Sequence, residues 1–234
     1  MKVYYDKWGK RGFLNNFAIT DSSNNESIVI DTDTLIEGTY IFRDVNFPQF
    51  DENLETEFQW DYPLNSLKSG IGMFFGCENL ITFDIDLPKV SNGAYMFSHC
   101  FNLSSFDSDL SSLTNASVMF RRTNLKKFEL KKNPIIKTNE SGEMIETMVY
   151  LTNGDYMFQN CKNLEEFIGD LSYLGSARAM FMNTQITPDT IKDKDGNTIT
   201  EFSSLKDGFE LFSSCPVKNF EVDVSKITSG EGMF

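Results

Sequence analysis

Short segments of the chain alternate apolar and polar residues with a period of two. In the segment 83–87, a Phe, an Ile and a Leu alternate with two aspartates, and similar alternation returns at 106–110 and 220–224. Such a period places one set of side chains on the buried face of a β-strand and the other set in solvent. The pattern therefore predicts several short strands, each too short to bury its apolar face alone.

These strands belong to a repeat whose most regular element is the dipeptide Met-Phe. Copies begin at Met73, Met96, Met119, Met157, Met180 and Met233, with weaker copies at Ile41 and Leu211. Successive copies start 32, 23, 23, 38, 23, 31 and 22 residues apart, so the unit has about 23 residues and three units carry insertions. Self-similarity at a fixed period of this size is the signature of a repeat architecture.

A unit that contains one short strand can bury its apolar face only against neighbouring units. The sequence therefore predicts a repeat solenoid that is mainly β, with short helical or irregular turns and a parallel sheet of short strands, one strand per coil. The phenylalanines that open the strands are expected to stack in one interior column: Phe83, Phe106, Phe128, Phe167 and Phe220.

Cysteine and threonine share the position four residues after the first residue of each Met-Phe copy. The members of this column are Cys77, Cys100, Thr123, Cys161, Thr184 and Cys215. Both side chains are small and free cysteine is readily buried, so the column is interpreted as an inward niche that selects for size. A Cys77–Cys100 disulfide fits adjacent coils, but Cys161 and Cys215 have threonine-bearing neighbours. Buried free thiols are therefore predicted.

An asparagine column follows the cysteine column in four of the units. Its members are Asn79, Asn102, Asn124 and Asn163. Side-chain amides both donate and accept hydrogen bonds, and they often satisfy backbone groups at turns. The column therefore predicts a structural asparagine ladder.

The unit MFSHCFNLSSFDSDLSSLTNASVMF, residues 96–120, resembles the BspA-type leucine-rich repeats. It is most similar to the Met-Phe-bearing variety of bacterial surface proteins and Mycoplasma lipoproteins. The resemblance covers residues 42–234 and is most specific at 73–128 and 157–181. It implies a right-handed leucine-rich-repeat solenoid that binds proteins or surfaces and has no catalytic residues.

The repeat columns also divide the chain into regions. Residues 1–40 carry no repeat column and are predicted to form a strand-rich N-terminal cap. Residues 41–234 are predicted to form the solenoid, with insertions near 50–70, 131–156 and 182–210.

Two insertions contain turn sequences, and the last unit is incomplete. Glu140-Ser141-Gly142 and Asp195-Gly196 predict β-hairpins. Because the sequence stops where another unit would begin, we expect either continuation beyond residue 234 or a further subunit that covers this end.

Charge restricts the class of partner. The formal net charge is −13, which disfavours nucleic acid and anionic membranes because both need a basic surface. The first residues lack the apolar region of a signal peptide, and no apolar run is long enough for a membrane span. Together with the binding role that the resemblance implies, the expected partner is a protein or a cell-surface glycan, without nucleic acid and without membrane insertion.

The sequence offers little for catalysis or metal binding. His99 is the single histidine, which excludes most catalytic triads, and neither a zinc-type cysteine pair nor a phosphate loop is present. The segment around Asp193 and Asp195 departs from a calcium loop, because Ile191 and Phe202 stand where acidic ligands are required. We therefore expect a protein that is not an enzyme and that has no cofactor.

The surface feature that the sequence singles out is an acidic strip on the outward face of the strands. Its members are Asp84, Asp86, Asp107, Asp109, Glu129, Asp170, Glu221 and Asp223. Lys131 falls in the same column and is expected to relieve part of their repulsion. Three interpretations stay open: a solvated face that discourages lateral strand pairing, carboxylates that cap turns, and a recognition strip for a partner.

Three biological roles follow from these observations. The resemblance points to surface proteins, yet the chain begins without a signal peptide, and a bacteriophage protein reaches the outside by lysis. The first hypothesis is therefore a virion protein, a phage tail or fibre component that contacts the host surface or another virion protein. The alternative is a secreted or surface-anchored bacterial adhesin. A carbohydrate-active enzyme is disfavoured, because the outward carboxylates repeat with the scaffold.

Overall fold

The structure is a computed structural model that describes residues 17–22, 25–30, 35–44, 64–139 and 141–234. Within these ranges the chain is mainly irregular, with short β-strands and no α-helix, and its one helical element is the 3₁₀ turn Pro188–Thr190. Strands β1 (Phe17–Ser22) and β2 (Asn25–Ile30) form an antiparallel hairpin. Much of the predicted cap and of the predicted insertion near 50–70 lies outside the described residues.

The remaining strands are two to four residues long. They are β3 (Thr82–Phe83), β4 (Ser105–Phe106), β5 (Lys127–Glu129), β6 (Ile135–Thr138), β7 (Met144–Thr147), β8 (Glu166–Ile168) and β9 (Ile191–Lys192). β3 pairs in parallel with β4, and β5, β8 and β9 form a second parallel sheet in that order. The parallel strands are shorter than the alternation predicts, and they form two sheets instead of a continuous one.

A side chain explains why the first sheet ends early. The Asp107 N–H donates to the Phe83 carbonyl at 2.8 Å, as in a regular ladder. Two residues later, the Asp109 N–H donates to the Asp86 carboxylate at 2.8 Å instead of to a backbone carbonyl. A carboxylate that replaces the backbone acceptor satisfies the amide but interrupts the strand pairing.

A longer ladder of single parallel bridges runs through every described unit. It joins Glu37, Ser69, Asn92, Asn115, Asn153, Ser176, Asp207 and Ser229, each to the next. The paired residue numbers differ by 32, 23, 23, 38, 23, 31 and 22, which are the spacings of the Met-Phe copies. The repeat register read from the sequence is therefore the pairing register of the structure, and the insertions are accommodated without loss of that register.

The Met-Phe turn itself is held by bonds to the following unit. The Phe74 N–H donates to the Met96 carbonyl at 2.9 Å, and the equivalent bond recurs in the other units. The residue before the Met has a positive φ, 60° at Tyr95, a conformation that most side chains rarely adopt. A Cβ on Gly70 would lie 2.8 Å from the sulfur of Met96, so the small residue at this position leaves room for the methionine of the next unit.

Two stacks of phenylalanine rings form the core. The Met-Phe copies contribute Phe42, Phe74, Phe97, Phe120, Phe158, Phe181, Phe212 and Phe234, with neighbouring centroids 5.3–6.4 Å apart and ring planes within 17° of parallel. The strands contribute Phe83, Phe106, Phe128 and Phe167, with centroids 5.7–5.9 Å apart. The prediction of one unbroken stack from Phe83 to Phe220 is wrong, because the insertion places Ile191 beside Phe167. Phe220 packs edge-on against Phe212 and Phe234, as Phe167 does against Phe158 and Phe181.

The side chains of the cysteine column form hydrogen bonds in addition to being small. None of the four cysteines forms a disulfide, and each thiol donates to the carbonyl of a phenylalanine in the preceding unit; the Cys161 sulfur, for example, lies 2.9 Å from the Phe120 oxygen. Thr184 donates at 2.7 Å to the carbonyl of Phe181, which lies in its own unit. Burial raises the pKa of Cys161 to about 11, so this thiol keeps its proton at neutral pH. Cysteine and threonine share the column because both are small and both donate.

Both predicted hairpins form. β6 pairs antiparallel with β7, and an antiparallel bridge between Lys192 and Thr198 closes the second hairpin. In that second turn, the Asp193 carboxylate accepts from the backbone N–H groups of Asp195 and Asn197, both within 2.9 Å. These bonds, with the Asn197 side-chain amide as the largest cause, lower the pKa of Asp193. The carboxylate therefore stabilises the turn.

Candidate functional site

The eight residues predicted to form the acidic strip lie at the surface of the described chain. Seven of its eight carboxylate residues are exposed, and Asp109 is half-buried. The alternation that predicted this arrangement is confirmed for the segment 83–87, where Phe83 and Leu87 are buried and Asp84 and Asp86 are exposed.

Several carboxylates of the strip stabilise turns. Asp109 accepts from the Ser111 N–H at 2.8 Å, and Asp223 accepts from the Ser225 N–H at 2.7 Å. Asp170 makes the same bond to the residue two positions later. The backbone and hydroxyl bonds from Ser225 lower the pKa of Asp223. These are Asx turns, in which a carboxylate holds the backbone two residues on.

The middle of the strip contains an ion pair. Lys131 lies against Asp107, and the hydrogen bond from the lysine to this carboxylate raises the pKa of Lys131. The prediction that Lys131 relieves repulsion is therefore confirmed. In the described chain, the side chains of Asp84, Glu129 and Glu221 form no hydrogen bond or ion pair, so they are the members of the strip available to a partner.

A second surface feature was not predicted from the sequence. We call it the amide groove, an open cavity of about 490 Å³ lined by Phe101, Arg122, Thr123, Asn124, Asn160, Lys162, Asn163 and Asn183. Two amide pairs belong to it. The Asn163 side chain donates to the Asn124 side chain at 2.6 Å, and the Asn183 side chain donates to that of Asn160 at 2.7 Å.

Arg122 is held at the groove by a neutral histidine. Its Nη1 lies 3.4 Å from Nε2 of His99, and the Ser98 hydroxyl lies 3.0 Å from Nδ1 of the same ring. An arginine can only donate, so Nε2 is the acceptor and Nδ1 carries the proton. Burial, followed by the charges of Arg122 and Arg121, lowers the pKa of His99. The imidazole is therefore uncharged at neutral pH.

One repeat position supplies much of this groove. Three residues after each Met-Phe copy begins, the backbone again has a positive φ: 65° at His99, 62° at Arg122, 65° at Asn160 and 58° at Asn183. Asparagine tolerates this conformation better than most residues. That column was the sequence signal for the groove. The Asn124–Asn163 bond confirms the predicted asparagine ladder for this pair, and Asn102 donates to the Glu78 carbonyl in the unit before.

In ranges 35–44, 64–139 and 141–234, no three His, Cys, Asp or Glu side chains gather in a way that could hold a metal ion. No helix in the described part of the chain is long and apolar enough to cross a membrane. Comparisons with family models, with curated proteins and with solved structures find no match to this chain.

Proposed function

We propose that the chain is a non-catalytic binding or structural module, built as a right-handed solenoid of the leucine-rich-repeat type. The bridge ladder from Glu37 to Ser229 carries this proposal, because one pairing register links all the described units. Such a stack gives a scaffold in which each unit contacts only its neighbours and presents the same surface positions again and again.

The setting that we propose is a bacteriophage virion, with the chain as a tail or fibre component that contacts the host surface or another virion protein. The resemblance of the unit 96–120 to the repeats of surface proteins supports a setting in which the chain contacts a surface. The alternative is a secreted or surface-anchored bacterial adhesin, which would use the same repeated surface for adhesion.

The setting is tested by mass spectrometry of purified virions beside membrane and secreted fractions of uninfected host cells. The virion assignment expects peptides of this chain in the virions and none in uninfected cells. Finding the protein only in uninfected cell envelopes or culture medium would refute the virion assignment and favour the adhesin.

The contact surface is tested by adsorption of the purified chain to host cells. Asp84→Asn and Glu221→Gln change carboxylates of the strip without internal partners, whereas Glu78→Gln changes an exposed carboxylate outside the strip and serves as the control. Weaker adsorption of the first two variants, with the control unchanged, supports a recognition strip. Unchanged adsorption of all three variants would show that the strip is a solvated face. The contact surface would then be sought at the hairpins or at the amide groove.

The absence of catalysis is part of the same proposal. The carboxylates repeat with the units, and several of them hold turns, as Asp109 does. Incubation with a panel of polysaccharides should release no reducing sugar above background. Hydrolysis that disappears when one carboxylate pair is changed to amides would contradict this part of the proposal.

A further inference from the structure

The amide groove has an unusual balance of charge. Arg122 and Lys162 line it, and among the described residues neither side chain forms an ion pair with a carboxylate. The whole chain has a formal net charge of −13, so a groove with two cations and no paired carboxylate differs in sign from the chain as a whole. A cationic site of this kind attracts an anionic group.

The amides of the groove argue against a ligand that is anionic all round. In each pair, one amide hydrogen and one carbonyl oxygen are used: Asn163 donates to Asn124, and Asn183 donates to Asn160. The remaining amide groups include both donors and acceptors. Phosphate and sulfate accept hydrogen bonds from donors, whereas hydroxyl groups both donate and accept, so a polyhydroxylated ligand matches these amides better.

An aromatic side chain completes the groove. Phe101 is 43% exposed although it is a large apolar residue, and its ring is nearly perpendicular to that of His99, with centroids 5.7 Å apart. Small-molecule sites combine aromatic surface with a few placed polar groups. The apolar C–H face of a pyranose ring is a suitable partner for such a ring.

The backbone that carries these side chains is already ordered. The N–H groups of Arg122, Asn160 and Asn183 each donate to a carbonyl of the following unit at 2.9–3.0 Å. Side chains on a backbone fixed in this way lose less entropy when a ligand binds than side chains on a free loop. The volume of about 490 Å³ also falls in the range of small-molecule sites.

We propose that the amide groove binds a pyranose sugar that carries one carboxylate, such as a uronic or sialic acid residue of a surface glycan. Arg122 and Lys162 pair with the carboxylate, the asparagine amides form hydrogen bonds with the hydroxyl groups, and Phe101 packs against the apolar face of the sugar ring. This inference rests on the proposed binding function and names the ligand class that the module recognises.

The test is calorimetric titration of the purified full chain with two matched ligand pairs. Trigalacturonic acid is compared with its methyl ester, and 3′-sialyllactose with lactose, so that each pair differs in the carboxylate or the residue that bears it. At least one acid is expected to bind, with its neutral counterpart weaker by roughly tenfold or more, because a charge-assisted bond is lost. Binding of trigalacturonic acid would identify the ligand as a uronic acid, and binding of 3′-sialyllactose would identify it as a sialic acid.

Variants assign the binding to the groove. Arg122→Gln and Lys162→Gln should each weaken binding by roughly tenfold, and Phe101→Ala should weaken both members of a pair alike. Lys194→Gln, at an exposed lysine on the second hairpin, is the control and should bind as the unchanged chain does. Unfolding temperatures of all variants are measured beside the titrations, so that a folding defect is recognised.

Three outcomes would overturn the inference: neither acid binds at millimolar concentration, acid and neutral ligands bind equally, or inorganic phosphate displaces the acid sugar at the same concentration. Host-cell adsorption measured with the same variants separates this failure from failure of the proposed function. If the Arg122→Gln variant adsorbs to cells as well as the unchanged chain, the proposed binding function stands and only the assignment of the sugar ligand is refuted. If the unchanged chain neither adsorbs to cells nor occurs in virions, the proposed function itself is refuted.

Discussion

Replacing Thr184 by valine removes one hydroxyl from a buried position and leaves the shape of the side chain nearly unchanged. Thr184 is 1% exposed; its hydroxyl donates to the Phe181 carbonyl at 2.7 Å and accepts from the Ile186 N–H at 3.2 Å. Valine ends both bonds and leaves the N–H of a buried residue without an acceptor. Cysteine at the same position keeps a donor, as it does in four other units.

The cost follows from these two bonds. A lost neutral hydrogen bond costs about 1 kcal/mol, and a buried amide left without a partner costs about 1–3 kcal/mol. After the gain from the more apolar valine, we expect Thr184→Val to lower the free energy of unfolding by about 2–3 kcal/mol. For a chain of this size, that corresponds to a decrease in Tm of roughly 4–12 °C. Thr184→Cys should cost less than about 1 kcal/mol.

The assay is urea unfolding followed by circular dichroism under reducing conditions, with thermal unfolding alongside. Thr82→Val is the control, because this threonine is exposed on β3 and its side chain forms no hydrogen bond within the described chain. If Thr184→Val is as stable as Thr184→Cys, the column selects for size alone and the hydrogen-bonding explanation is refuted.

Three further predictions concern charged groups. Burial lowers the pKa of Lys132 from 10.5, its ordinary value, to about 8 in the folded chain. Between these two pH values the unfolded chain binds more protons than the folded chain, so the free energy of unfolding should rise with pH. Urea unfolding at pH 7.5 and 9 should show a gain of about 1 kcal/mol that Lys132→Met abolishes. The pKa of His99 is lowered by burial and by Arg122, so stability should fall as pH drops below 6.5, and Arg122→Gln should raise the pKa read from the imidazole NMR signal. An unchanged value would show that Arg122 does not act on this ring. Asp109→Ala should cost about 1 kcal/mol because a turn bond is lost, whereas Asp84→Ala should stay within about 0.5 kcal/mol; equal losses would contradict the turn-capping role.

The repeat register was the part of the fold that the sequence predicted best. A side chain packed against its own equivalents in neighbouring units meets the same environment in each of them, so Phe97 and Cys100 recur as residue types. The insertions did not obscure this register, because residues of the hairpin β6–β7 pair with each other and leave the bridge between Asn115 and Asn153 intact.

Other features depend on contacts that no local pattern contains. Strand length was overestimated because alternation does not show that the Asp86 carboxylate replaces a backbone acceptor. The stack of strand phenylalanines was predicted to continue from Phe167 to Phe220, but Ile191, from an insertion, takes the position beside Phe167. The amide groove was missed because its members lie in different units. Asn160 and Asn183, for example, are 23 positions apart along the chain and meet only when the units pack.

The central claim of this account is that each unit pairs with the next in one register, across insertions as well as between adjacent copies. It is tested most directly by disulfide mapping of three double-cysteine variants at the bridge ladder. Asn92→Cys with Asn115→Cys, and Asn115→Cys with Asn153→Cys, replace neighbours and should cross-link under mild oxidation. Asn92→Cys with Asn153→Cys skips one unit and should stay reduced. Peptide mass spectrometry that finds the 92–153 cross-link as readily as the other two, or no cross-link between 115 and 153, would contradict the account.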